Sequence, residues 1–86
     1  MEVHNITWGG ISIQIVYVHA QFGLVDHVQL YTHPRTPLPV TKTGYKSHFI
    51  DAGTVEEYGG VLVYVTDWLD AEAKRNGWNG AQMSLF

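Results

Sequence analysis

The chain has 86 residues, of which 45% are hydrophobic and 13% aromatic. That is enough for one packed core, too little for two, and it excludes wholesale disorder. There is no cysteine, so disulfide staples and thiolate chemistry are excluded, and the formal net charge of -3 argues against a general nucleic-acid binder. No apolar run approaches a membrane span, and no basic segment precedes an apolar one at the N-terminus as a secretory signal requires. A reducing cytoplasm is the expectation.

In chain order, Val3 to Trp8 is a short β-prone run that ends at Gly9-Gly10, a turn signal. "ISIQIVYVH" then alternates with period two. Ile11, Ile13, Ile15 and Tyr17 share one face, and Ser12, Gln14, Val16 and Val18 share the other. These segments are predicted to pair as a hairpin. "AQFGLVD" interrupts the pattern, and "HVQLYT" resumes it with Val28 and Leu30 on one face, predicting a third strand antiparallel to the second.

Pro34, Pro37 and Pro39 rule out an internal strand or helix in the next stretch, because proline removes a donor and fixes φ. His33 to Ser47 therefore reads as a long loop, and long loops in small domains are often working surfaces. Asp51 as N-cap, or Thr54 with Glu57 as a capping box, would start a short helix that Gly59-Gly60 ends. "VLVYVTDWLDAEAKRNG" carries the strongest helical pattern. Val61, Leu62, Val65, Trp68, Leu69 and Ala73 make its apolar stripe. Asp70 can pair with Lys74 one turn on, and Gly77 suits the residue beyond the end. The expected fold is α+β: a three-stranded antiparallel sheet packed by a C-terminal helix, with a short preceding helix and a long proline-rich loop. Residues 1–77 form the domain and residues 78–86 a flexible tail.

Charge is distributed unevenly. Arg35, Lys42 and Lys46 fall in a stretch without acids and form a candidate contact for an anionic partner. Three such charges neutralise few phosphates, so direct nucleic-acid binding should be weak or absent. Asp51, Glu56, Glu57, Asp67, Asp70 and Glu72 form a run without Lys or Arg, a candidate acidic surface. The five histidines include no HxH and no i, i+4 pair, so no metal is expected. His19 and His27 could meet across the second and third strands beside Asp26. Tyr45, Lys46 and His48 could supply acid/base chemistry if a pocket stood beside them, but no cofactor motif accompanies them, and no catalytic residue is assigned. Trp68 belongs to the core, Trp8 to its margin, and Trp78 either packs back or serves as an interface anchor.

The last five residues, Gln82-Met83-Ser84-Leu85-Phe86, resemble the bacterial sliding-clamp-binding motif, with Met83 in place of the common leucine. In proteins with that motif an extended peptide docks on the clamp, the glutamine bonding at the pocket entrance and the Leu-Phe pair filling an apolar cleft. Asn79, Gly80 and Ala81 make a pliable lead for such a peptide; the competing reading is that Leu85 and Phe86 cap this domain's own core. A second resemblance covers Pro37 to Ala73, where "PLPVTKTGYKSHF" and "GTVEEYGGVLVYVTDWLDAEA" look like small proteins of bacteriophages and other bacterial mobile elements. It implies a context, a phage or plasmid accessory protein in a bacterial cytoplasm, and no mechanism. The resulting expectation is a non-enzymatic accessory protein whose tail docks on a replication protein. The alternatives are an anti-defence inhibitor, similar in role to anti-CRISPR proteins, using the acidic surface, and a small enzyme using Tyr45, Lys46 and His48.

Overall fold

A computed structural model describes residues 1–78 and orders six elements along the chain. They are β1 (Glu2–Trp8), β2 (Ile11–Gln21), β3 (Val25–Thr32), β4 (Tyr45–Asp51), α1 (Thr54–Tyr58) and α2 (Val61–Asn76). The strands form one antiparallel sheet in the order β1-β2-β3-β4. Gly9 and Gly10 both take positive φ, 54° and 80°, as the hairpin turn between β1 and β2 demands. Trp8 consequently lies opposite Ile11, and the register runs to Glu2 opposite Tyr17.

The three-strand expectation is incorrect: Tyr45–Asp51 is a fourth strand, paired with β3 from Val25↔Asp51 to Tyr31↔Tyr45. Its apolar alternation is masked, because the positions that share the faces of Leu30 and Val28 hold Lys46 and His48. The Lys46 stem and the His48 ring fill space that aliphatic side chains usually occupy. The loop shortens accordingly to residues 33–44.

One face of the sheet is covered. Ile11, Ile13, Ile15 and Tyr17 of β2 and Val28 and Leu30 of β3 are buried against Val55, Val61, Val65 and Leu69 of the helices, with Leu38 from the loop. Burying each such side chain contributes roughly 1.5–3 kcal/mol. Leu62, assigned to the apolar stripe on spacing alone, is exposed, and Trp68 is half-buried at the margin. Trp78 packs back against the core, and its N–H donates to the Ala73 carbonyl at 2.8 Å. The expected Asp70–Lys74 pair does not form; Asp70 Oδ1 instead accepts Trp8 Nε1–H at 2.8 Å, fastening α2 to β1.

The cap of α1 also differs from expectation. Gly53 occupies the N-cap position and no side chain at that position caps the helix. Asp51 lies in β4, and neither it nor Thr54 supplies the cap. The acceptor is Asp26 of β3, whose Oδ2 takes the N–H groups of Gly53 at 3.1 Å and Val55 at 3.3 Å.

Candidate functional site

The β2–β3 connection is irregular. The register breaks between Val18 and Gln21, and Ala20 and Phe22 adopt φ of 52° and 58°, a left-handed conformation that L side chains avoid. Fully buried Asp26 holds this turn: its Oδ1 accepts Ala20 N–H at 2.9 Å and His19 Nδ1–H at 3.0 Å. Burial alone would raise the Asp26 carboxyl. The N–H groups of Ala20, Val55 and Gly53 together with His19 outweigh it and hold the pKa below the ordinary value.

Tyr17 extends this network. Its hydroxyl donates to Glu56 Oε2 at 2.5 Å, so toward His19 it can only accept, across 3.2 Å. The His19 proton is thereby placed on Nδ1, shared between Asp26 and Tyr17. Burial first, then the Glu56 hydrogen bond, pushes the Tyr17 hydroxyl well above its ordinary pKa. The two histidines expected to meet do not. His19 turns to Asp26, whereas His27 stacks on Phe49 at 4.1 Å and bonds Ser47 Oγ at 2.8 Å.

The turn tip displays Phe22 and Leu24, exposed at 85% and 73%. Phe49, 57% exposed, lies on the uncovered face opposite His27. Toward the other end of the same uncovered face, Tyr31 and Tyr45 place their rings 5.0 Å apart, and Gln29 Nε2 donates to Tyr45 Oη at 3.0 Å. Beyond them opens a pocket of about 270 Å³ whose polar lining is Asn5, Thr7, Ser12, Gln14 and His33.

The candidate residues are dispersed. Arg35 and Lys42 sit in the loop, and Arg35 Nη1 approaches the Thr43 carbonyl at 3.5 Å. Lys46 is separated from them on the covered face, opposite Leu30. Tyr45 and Lys46 point to opposite faces, so Tyr45, Lys46 and His48 cannot act as one acid/base set. His48 instead meets Tyr64 Oη at 2.9 Å and packs 4.3 Å from the Trp68 ring. Three of the six acids are engaged, Glu56 by Tyr17, Asp70 by Trp8 and Glu72 by Arg75 at 2.6 Å. Asp51, Glu57 and Asp67 are exposed. Gln82, Met83, Ser84, Leu85 and Phe86 lie outside the described residues. Among the described residues no group of three or more potential ligands could hold a metal ion, and no helix is long and apolar enough to cross a membrane.

Sequence reasoning missed Asp26, Tyr17 and Phe22 as a group. The one available signal was an aspartate at an inward-facing strand position, in phase with Val28 and Leu30. A buried carboxylate must find donors, and the bulged turn and the start of α1 are where free N–H groups occur.

These features define a two-layer α+β domain with one sheet face left uncovered by the described chain. A family model, KlcB third domain, matches residues 1–78, and the chain belongs to that family. No curated protein and no solved structure matches it.

Proposed function

We propose that this chain is a non-enzymatic accessory protein of a bacterial mobile element, acting in the cytoplasm by docking on another protein. The observation that carries this reading is the turn that displays Phe22. A bulky residue in the left-handed region costs about 1–3 kcal/mol and persists only where the surroundings enforce it. Here Asp26 holds the neighbouring left-handed residue Ala20 through its N–H, and the backbone bonds Gly23 N–H to Ala20 O and Leu24 N–H to Gln21 O close the turn around Phe22. Two large apolar side chains stand in solvent, contributing nothing to the core. Within the same turn Gln21 Oε1 is buried without a hydrogen-bond partner among the described residues. Strain concentrated where apolar anchors are presented favours a docking element over a structural one.

The Gln82-Met83-Ser84-Leu85-Phe86 match names the replication clamp as the partner to test first. Two contacts on one chain act at high effective concentration, so a short tail and a small turn can together bind well. The experiment is calorimetric titration of purified bacterial sliding clamp with three proteins: the full chain, the chain lacking Gln82–Phe86, and Phe22→Ser/Leu24→Ser. Saturable binding is expected from the full chain, loss on removal of the tail, and several-fold weakening in the turn variant. Absence of binding, or binding indifferent to the tail, overturns the clamp as partner. Binding indifferent to the turn variant overturns the turn as a docking element.

A further inference from the structure

The net charge of -3 speaks against nucleic acid only if the acids are spread evenly, and they are not. Glu2 shares the face of Tyr17 by its register, Asp26 is buried on that face, and Glu56, Glu57, Asp67, Asp70 and Glu72 belong to the two helices that cover it. Asp51 alone shares the uncovered face, six residues along β4 from Tyr45, about 20 Å at the rise of a strand. Among the described residues the pocket end of the open face is therefore free of carboxylates.

At that end the side chains are of a consistent kind. Asn5 and Gln14 are cross-strand partners and offer two amides, each able to donate and accept, beside the hydroxyls of Thr7 and Ser12. Gln14 in turn lies opposite Tyr31, so one wall of the pocket is the cross-strand neighbour of the Tyr31–Tyr45 ring pair. His33 lines the pocket and begins the loop that carries Arg35 and Lys42. At about 270 Å³ the pocket falls just below the range of drug-sized sites, which starts near about 300 Å³, and suits a single ring system. Amides that read a base edge, rings on which a neighbouring base stacks, and flanking cations for a phosphate are the three elements of single-strand recognition.

We infer that the end of the uncovered sheet face bounded by Asn5, Gln14, Tyr31 and Tyr45, next to the loop that carries Arg35, binds single-stranded nucleic acid, one base seated in the pocket and the next stacked on the tyrosine pair. The interaction is modest in strength, because two loop cations release few counterions. It stands independently of the protein-docking turn, which lies at the opposite end of the same strands.

The test is fluorescence anisotropy of a short labelled oligothymidylate with the full chain at low salt, with a duplex of equal length as comparison. Saturable binding that prefers the single strand and weakens with added salt is expected. Tyr31→Ala should lower affinity roughly tenfold, the loss of one stacked base, while Tyr31→Phe retains it. Arg35→Ala should weaken binding and flatten the salt dependence by about one unit of slope. Lys46→Ala, on the covered face, should leave binding unchanged. No binding at low salt, equal affinity for the duplex, indifference to Tyr31→Ala, or equal losses from Arg35→Ala and Lys46→Ala would each overturn the inference. Far-ultraviolet circular dichroism of Tyr31→Ala, compared with Tyr31→Phe, separates lost stacking from a lost fold.

Discussion

Asp26 and Val55 stand 29 residues apart in sequence, yet the Asp26 carboxylate accepts the Val55 N–H at 3.3 Å and completes the cap of α1. The same carboxylate restrains Ala20 in its left-handed conformation. One buried charge thus joins the helix that closes the core to the turn that presents Phe22.

Asp26→Ala leaves several buried N–H groups without an acceptor, and it should destabilise the domain by about 3 kcal/mol, the worth of one to two hydrogen bonds to a charged group. Because the folded carboxyl titrates below its ordinary value of 3.8, its contribution is complete above that pH. It disappears as pH falls through the lower folded pKa. Chemical denaturation across an acid series should therefore show a decline below about pH 4 that is smaller in Asp26→Asn, already destabilised at neutral pH.

Phe22→Gly should act in the opposite sense. Glycine accepts positive φ without the steric cost, so stability should rise by up to about 1 kcal/mol. Loss of the apolar anchor should at the same time weaken docking. A thermal melt showing no gain would mean that the turn is unstrained in solution.

His48 is pressed below its ordinary value of 6.5, first by burial and then by Lys46 on the same face. A depressed histidine favours folding in its neutral form, so this contribution is complete above about pH 6.5 and is lost as pH falls through the folded pKa. Stability should decline through mildly acidic pH, and His48→Phe, which keeps a ring against Trp68, should flatten that part of the profile. An unchanged slope in His48→Phe would assign the decline to other groups.

Gly44 has φ of 82°, and a Cβ there would lie 2.5 Å from Thr32 Oγ1 and 2.9 Å from the Thr36 nitrogen. Those atoms form the clasp of the loop, with Thr32 Oγ1 accepting Thr36 N–H at 2.7 Å and Thr32 N–H donating to the Gly44 carbonyl at 2.9 Å. Gly44→Ala should cost about 1–3 kcal/mol from strain alone, with hydrogen exchange quickened at Thr32 and Thr36. Unchanged exchange at both amides would show that the loop is held elsewhere.

Where apolar residues recurred with a clean period, local sequence was sufficient. The hairpin of β1 and β2 follows from the isoleucine alternation and Gly9-Gly10, and α2 follows from Val61, Val65 and Leu69 at helical spacing. Local pattern misled where polar residues occupy covered positions. Lys46 and His48 concealed β4, and Asp26 was passed over as the cap of α1, since a residue's neighbours in sequence do not reveal which distant N–H groups need an acceptor. The charge pattern was legible as a basic middle and an acidic third quarter. Its sorting, with Lys46 on the covered face and Arg35 and Lys42 left in the loop, depended on strand register.

By itself, then, the sequence determined the elements whose period is short and apolar, because burial of one stripe or one face is a local property of spacing. Only the tertiary structure decided which polar groups meet: Asp26 with Ala20, Gly53 and Val55, Tyr17 with Glu56, Tyr31 with Tyr45. Those pairings depend on strand register and on unpaired backbone donors elsewhere in the chain, which form only when the whole chain has folded.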